Sequence, residues 1–161
     1  ASSKPEKLAS AWHHENNDLW DFHCKEWILE VKSTVKTNRA HVFNNDQILL
    51  AKQNNNSKVA SVLLSRTKDG PCVWDLFDSI AKKVSINESS RIKRLMHELL
   101  GNQIALSLEY KFDNKYAMSN LRFYEFSSLP FIDTEIISPG ITKISYTVSL
   151  DAVAPLKNWS F

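Results

Sequence analysis

Residues 73–100 read VWDLFDSIAKKVSINESSRIKRLMHELL, and their spacing predicts two helices joined by a short turn. In the first, Trp74, Phe77, Ile80, Ala81 and Val84 recur on one helical face. The second opens at Ser85, a capping residue with Glu88 three positions on, as in a capping box; Asn87 is a rival cap. Ile86, Ile92, Leu95, Met96, Leu99 and Leu100 then form one apolar stripe. Gly101 stands where a left-handed C-terminal glycine is expected.

Opposite that stripe project Asn87, Ser90, Arg94 and His97, flanked by Arg91, Lys93 and Glu98. Cations and small hydrogen-bonding residues on one solvent face suit a helix in the DNA major groove. Arg can bridge guanine O6 and N7, Asn can do the same for adenine, and Ser or Lys can hold phosphates. On this expectation Ser90, Arg94 and His97 meet base edges while Arg91 and Lys93 hold the backbone. The plain alternative is a solvated amphipathic helix.

After Gly101 the period changes to alternation. Ile104, Leu106, Leu108 and Tyr110 predict a strand, Asp113-Asn114 a turn, and Leu121 and Phe123 a second strand ending near Pro130. Further strands are expected over 131–137 and 141–150, separated by Ser138-Pro139-Gly140. Lys111, Lys115 and Arg122 would lie on one hairpin and touch phosphates, whereas Phe123, Tyr124 and Phe126 there would favour a protein partner. The expected fold class is α+β, a winged helix: a helical N-terminal part, a helix-turn-helix and an enlarged antiparallel wing. Residues 1–57 form the helical extension and 58–161 the winged-helix domain on this view. The stripes of the two helices and the inward face of the last strand (Ile144, Tyr146, Val148) are expected to share one core.

Working towards the N-terminus, 58–66 reads as a helix through Val59, Val62 and Leu63, followed by the turn Thr67-Lys68-Asp69-Gly70-Pro71. His41-Val42-Phe43 is a short strand, Asn44 or Asn45 a cap, and 46–52 a short helix. Residues 19–35 read as a longer helix, with Leu19, Phe22, Trp27, Ile28, Val31 and Val35 near one face. Residues 1–18 are polar and read as a frayed arm or a first helix of low stability. His13, His14, His23 and Cys24 lack the spacing of a metal site, and no metal is expected there. Glu30-Val31-Lys32 resembles the acidic-x-Lys half of a metal-dependent nuclease site, which needs a second carboxylate on a neighbouring strand. Asp18 and Asp21 fall in what reads as the same helix, so the triplet reads as a chance match.

The chain has 161 residues, 43% of them hydrophobic and 24% charged, with a net charge of +2. This is a globular composition with core enough for one domain or a domain plus an extension. Cys24 and Cys72 read as reduced thiols. No signal peptide and no apolar run of membrane-spanning length is present, so the expected setting is cytoplasmic, without a membrane partner. The start at Ala1 and the end at Trp159-Ser160-Phe161 read as a domain of a longer protein.

The pieces Asp78-Ser79-Ile80-Ala81-Lys82-Lys83-Val84, Glu88-Ser89-Ser90-Arg91-Ile92-Lys93-Arg94-Leu95 and Ile144-Ser145-Tyr146-Thr147-Val148-Ser149-Leu150 running into Ala154-Pro155-Leu156 follow one another in order. With the strand-rich stretch between, they resemble the winged-helix domain of theta-type plasmid replication initiators over roughly the last ninety residues. The resemblance implies sequence-specific binding of double-stranded DNA in plasmid replication, with Arg91, Lys93 and Arg94 meeting DNA. A transcriptional regulator, or a protein-interaction or dimerisation module, would use the same domain. The aromatic run Phe123-Tyr124-Glu125-Phe126 is expected to be covered either by the N-terminal helix with its tryptophans or by a second subunit, with a homodimer slightly favoured. No base, nucleophile and oxyanion donors assemble, so neither an enzyme nor a cofactor is expected.

Overall fold

The computed structural model describes residues 4–13, 19–54 and 56–157; His14, Asp18 and Trp159-Ser160-Phe161, weighed above, lie outside them. In chain order the elements are α1 (Lys4–Ala11), β1 (Phe22–His23), β2 (Ile28–Thr34), β3 (Ala40–Asn44), α2 (Asn45–Lys52), β4 (Ser57–Leu63), α3 (Val73–Ala81), α4 (Ile86–Leu100), α5 (Ile104–Glu109), α6 (Asn114–Ser119), β5 (Leu121–Glu125) and β6 (Ser145–Ser149). The class is α+β. A mixed sheet has the order β1-β2-β4-β5, and β3 pairs with β6 in a second, two-stranded sheet.

β4 explains this arrangement. Its sequence SKVASVL is buried nearly throughout, as expected of an interior strand covered on both faces. It runs parallel to β2, Ile28 opposite Ser57 through Thr34 opposite Leu63, and antiparallel to β5. Lys58 is buried there and ion-pairs with Glu125 across the β4–β5 register at 2.8 Å. The helix expected over 58–66 is therefore a strand. A short apolar run has no period that separates the two, and the two neighbouring strands decide it. The same pairing overturns the helix expected over 19–35. Its β-branched residues Ile28, Val31 and Thr34 lie in β2, and Cys24 N–H donates to the Trp27 carbonyl in the turn from β1.

Three local expectations match. Asn44 caps α2, its side chain accepting from Asp46 N–H at 3.1 Å. Ser85 caps α4 by accepting from Glu88 N–H at 3.3 Å, and Gly101 ends it with φ 49°. The α3–α4 pair is present as read, but no wing follows it. Residues 104–109 are the helix α5, held to α3 by Ser107, whose hydroxyl donates to the Ile104 carbonyl and accepts from Trp74 Nε1. Residues 131–137 carry only a 3₁₀ turn, Thr134–Ile136. β5 and β6 belong to different sheets, so they do not make a hairpin. The boundary expected between 57 and 58 falls at the first pair of β4, and the segment before it contributes β1, β2 and β3 as well as α1 and α2.

The single core expected from the stripes is two clusters. One lies between the sheets and α2: Phe43, Ile48, Ala51, Val59, Tyr124, Phe126, Leu129, Val148 and Leu150, with Trp20 and Tyr146 packed against it. The other joins α1, α3 and α4 through Ala9, Phe77, Ile92 and Met96, with Trp12, Trp74 and Val84 beside it. Ile80 and Leu99 stay exposed. Tyr124 and Phe126 are buried by the chain itself, with Trp20 packed on Phe126, as in the alternative of cover by an N-terminal tryptophan. Leu95 is fully buried on α4. Leu95→Ala should therefore cost about 2–5 kcal/mol of unfolding free energy. An unchanged urea midpoint would contradict that burial.

Candidate active site

A strand sends alternate side chains to the same face, so β2 carries Glu30 and Lys32 side by side. Glu30 is buried, and Lys32 Nζ lies 2.6 Å from its Oε1. The antiparallel register of β1 with β2 sets Phe22 opposite Leu29, and Asp21 directly precedes β1 at that end. Asp21 Oδ2 accepts from the Val31 N–H at 2.7 Å, midway along the Glu30-Val31-Lys32 triplet. From α2, the buried Gln47 donates through Nε2 to the Leu19 carbonyl at 2.9 Å. Burial pushes the Glu30 carboxyl above its ordinary value, and the Asp21 charge pushes it further; Lys32 and Gln47 pull partly back.

Beyond Lys32 the site has a polar floor. Lys32 is the register partner of Ser61 on β4, and its ammonium lies 5.3 Å from the centre of the Phe43 ring. Ser61 Oγ accepts from Arg39 Nη1 at 3.0 Å and lies 2.8 Å from His41 Nε2. Arg39 also donates to the carbonyls of Ser61 and Asn120. Burial lowers the His41 pKa, and the charges of Lys32 and Arg39 lower it further. A neutral imidazole accepting the Ser61 hydroxyl proton at Nε2 fits this order of donors.

Two neighbouring carboxylates, with an amide beside them, form an oxygen donor set suited to a hard divalent cation. Magnesium is commonly held by one or two carboxylates and keeps several waters. Among the described residues no three His, Cys, Asp or Glu side chains gather as a fuller metal-binding group. The donor set therefore fits a cation of the magnesium kind and not a closed tetrahedral zinc site.

Of the residues expected to contact DNA, five are exposed on α4, while Arg91 turns inward and the three expected on one hairpin lie on different elements. Asn87, Ser90, Lys93 and His97 are exposed on α4, with the His97 ring 5.1 Å from that of Trp74. Arg94 is exposed and ion-pairs with Glu98 at 2.8 Å. Arg91 turns inward to Glu88 and to main-chain carbonyls beyond α4. Lys111 precedes α6, Lys115 lies in its first turn, and Arg122 is on β5, so the three do not share a hairpin. The acidic-x-Lys triplet was visible in sequence. A helix over 19–35 would leave it without a second carboxylate from a neighbouring strand, whereas β1 and β2 bring Asp21 to it. Gln47, His41 and Ser61 carry no motif that would have marked them.

No helix among the described residues is long and apolar enough to cross a membrane. No curated protein and no solved structure matches the chain. A family model described as "Putative PD-(D/E)XK family member, (DUF4420)" matches residues 1–151. Glu30-Val31-Lys32 has the form of the (D/E)XK in that description, and Asp21 is an Asp upstream of it, preceded by Trp20 rather than Pro. This match overturns the resemblance to winged-helix replication initiators, and with it sequence-specific DNA binding by a winged helix in plasmid replication. Neither the regulator nor the interaction-module alternative gains from it. The expectation that the chain is not an enzyme is corrected on the same ground.

Proposed function

This chain belongs to the DUF4420 family, and from that premise we propose that it is a nuclease hydrolysing phosphodiester bonds of DNA with a divalent cation. The β1-β2-β4-β5 sheet with α2 is then a PD-(D/E)XK core. The observation that carries this proposal is the buried Glu30, ion-paired to Lys32 two residues on, with Asp21 bonded to the Val31 N–H between them.

Asp21 and Glu30 would hold the cation through their carboxylate oxygens. When bound, such a cation acts as a Lewis acid on the phosphate and lowers the pKa of its water. Gln47 favours the charged form of the Glu30 carboxyl. Lys32 balances part of the local negative charge and keeps donors to spare for a phosphate oxygen or the attacking water. Hydrolysis joins the water oxygen to phosphorus, breaks one ester P–O bond and leaves a proton on the departing hydroxyl. Lys32 is placed to stabilise the charge that builds up on the way.

The test is incubation of supercoiled plasmid, linear duplex and single-stranded DNA with the protein in MgCl₂, MnCl₂ or EDTA. Cleavage in the presence of the cation and none in EDTA is the expected result. Intact DNA in all three forms, with the protein folded, would reject the assignment.

A further inference from the structure

We infer that Arg91 of α4 is a positioning residue that holds Asp21 against Glu30; this rests on the reading of the site as cation-binding. A guanidinium has five N–H donors, and Arg91 makes five hydrogen bonds. Nε and Nη2 donate to Glu88 Oε2 at 3.1 and 2.9 Å, Nη1 to the carbonyls of Trp12 and His13 at 3.2 and 3.0 Å, and Nη2 also to the Ala9 carbonyl. The fork thus closes over the C-terminal end of α1, where a cation is electrostatically favoured. A second tie joins the same two helices, Ser85 N–H donating to Glu6 Oε2 at 2.8 Å.

The segment gripped by Arg91 runs directly to the site. Trp12 forms an antiparallel bridge with Phe22, and His13 N–H donates to the Asp21 carbonyl at 2.9 Å. Asp21 then receives the Val31 N–H between Glu30 and Lys32. An unbroken path of bonds therefore leads from α4 through residues 12–13 to the upstream carboxylate.

Asp21 needs such an anchor. β1 has only two residues, Phe22–His23, too few for a stable strand edge, and Asp21 lies just outside it. Without a cation, the Asp21 and Glu30 carboxylates repel each other. A frayed β1 would let them part, and the oxygen pair would no longer be set for a cation. The Trp12–Phe22 bridge lengthens the pairing, and Arg91 fixes the segment that makes it.

The experiment is calorimetric titration of wild type, Arg91→Lys, Glu88→Gln and Glu30→Gln with MnCl₂, alongside steady-state cleavage of duplex DNA. Lys keeps the charge but cannot fork to the three carbonyls. Arg91→Lys should raise the Mn²⁺ dissociation constant about tenfold, the scale of losing a residue that orients a metal ligand. Its kcat should fall alongside while KM for DNA holds, because Arg91 does not touch the substrate. Glu88→Gln, which loosens the fork and leaves the carbonyl bonds, should show a smaller loss in the same direction. If Arg91→Lys melts below the assay temperature, Glu88→Gln carries the test by the same criterion. Mn²⁺ affinity unchanged in the folded variant, or a rise in KM with Mn²⁺ affinity intact, overturns the positioning role alone. A wild type that binds no Mn²⁺ overturns the cation site and the positioning role together.

Discussion

Glu30→Gln is expected to remove Mg²⁺-dependent cleavage, by about a hundredfold or more, while making the fold more stable at neutral pH. The first effect follows from losing one of two carboxylates in the oxygen donor set. The second follows from the protonation of Glu30. Its carboxyl is held above the ordinary value of 4.5, chiefly by burial and then by the Asp21 charge. The folded chain therefore keeps that proton to higher pH than the unfolded chain does. The associated stability is complete below the unfolded value and is lost as pH rises through the folded one. Glutamine stays neutral throughout, so the variant should gain on wild type across that window and keep the gain above it. Thermal melts of both proteins at a series of pH values, beside a cleavage assay, read the two effects separately. Retained cleavage would remove Glu30 from the site. Lost cleavage with no relative gain in stability would mean that its pairing with Lys32 outweighs its burial.

Phe126→Ala should be the most damaging core substitution, costing about 3–5 kcal/mol of unfolding free energy. The ring is fully buried and meets two aromatic neighbours edge-on, Trp20 at 5.7 Å and 77° and Phe43 at 6.4 Å and 82°. Both neighbours support the site. Trp20 directly precedes Asp21, and Phe43 faces the Lys32 ammonium. The cavity should therefore also slow cleavage at temperatures where the variant stays folded. Urea denaturation measures the first effect and initial rates the second. A cost below about 1 kcal/mol would mean that the surrounding side chains refill the space.

The helices α3 and α4 and the α2 cap were legible in the sequence because their signals are local. A cap acts on amides within one turn, and an apolar stripe repeats within a few residues. The strands of the α+β class were expected from alternation after Gly101, which holds for 121–125 and 145–149 but not for 104–109, a helix. The chemistry of the site was legible too, as a carboxylate two positions before a lysine. What tertiary structure alone decided was the conformation around it. In a helix, Glu30 and Lys32 would point about 200° apart, and Asp21 would belong to the same rod. In a strand they share a face, and a second strand can bring Asp21 to the Val31 N–H between them. That choice was made by β4, which lies far along the chain yet pairs with every residue of β2. It was also made by α1 and α4, whose contact through Arg91 holds the segment beside Asp21. Periodicity within 19–35 or 58–66 cannot report these pairings, because their free energy comes from partners that no window of neighbouring residues contains.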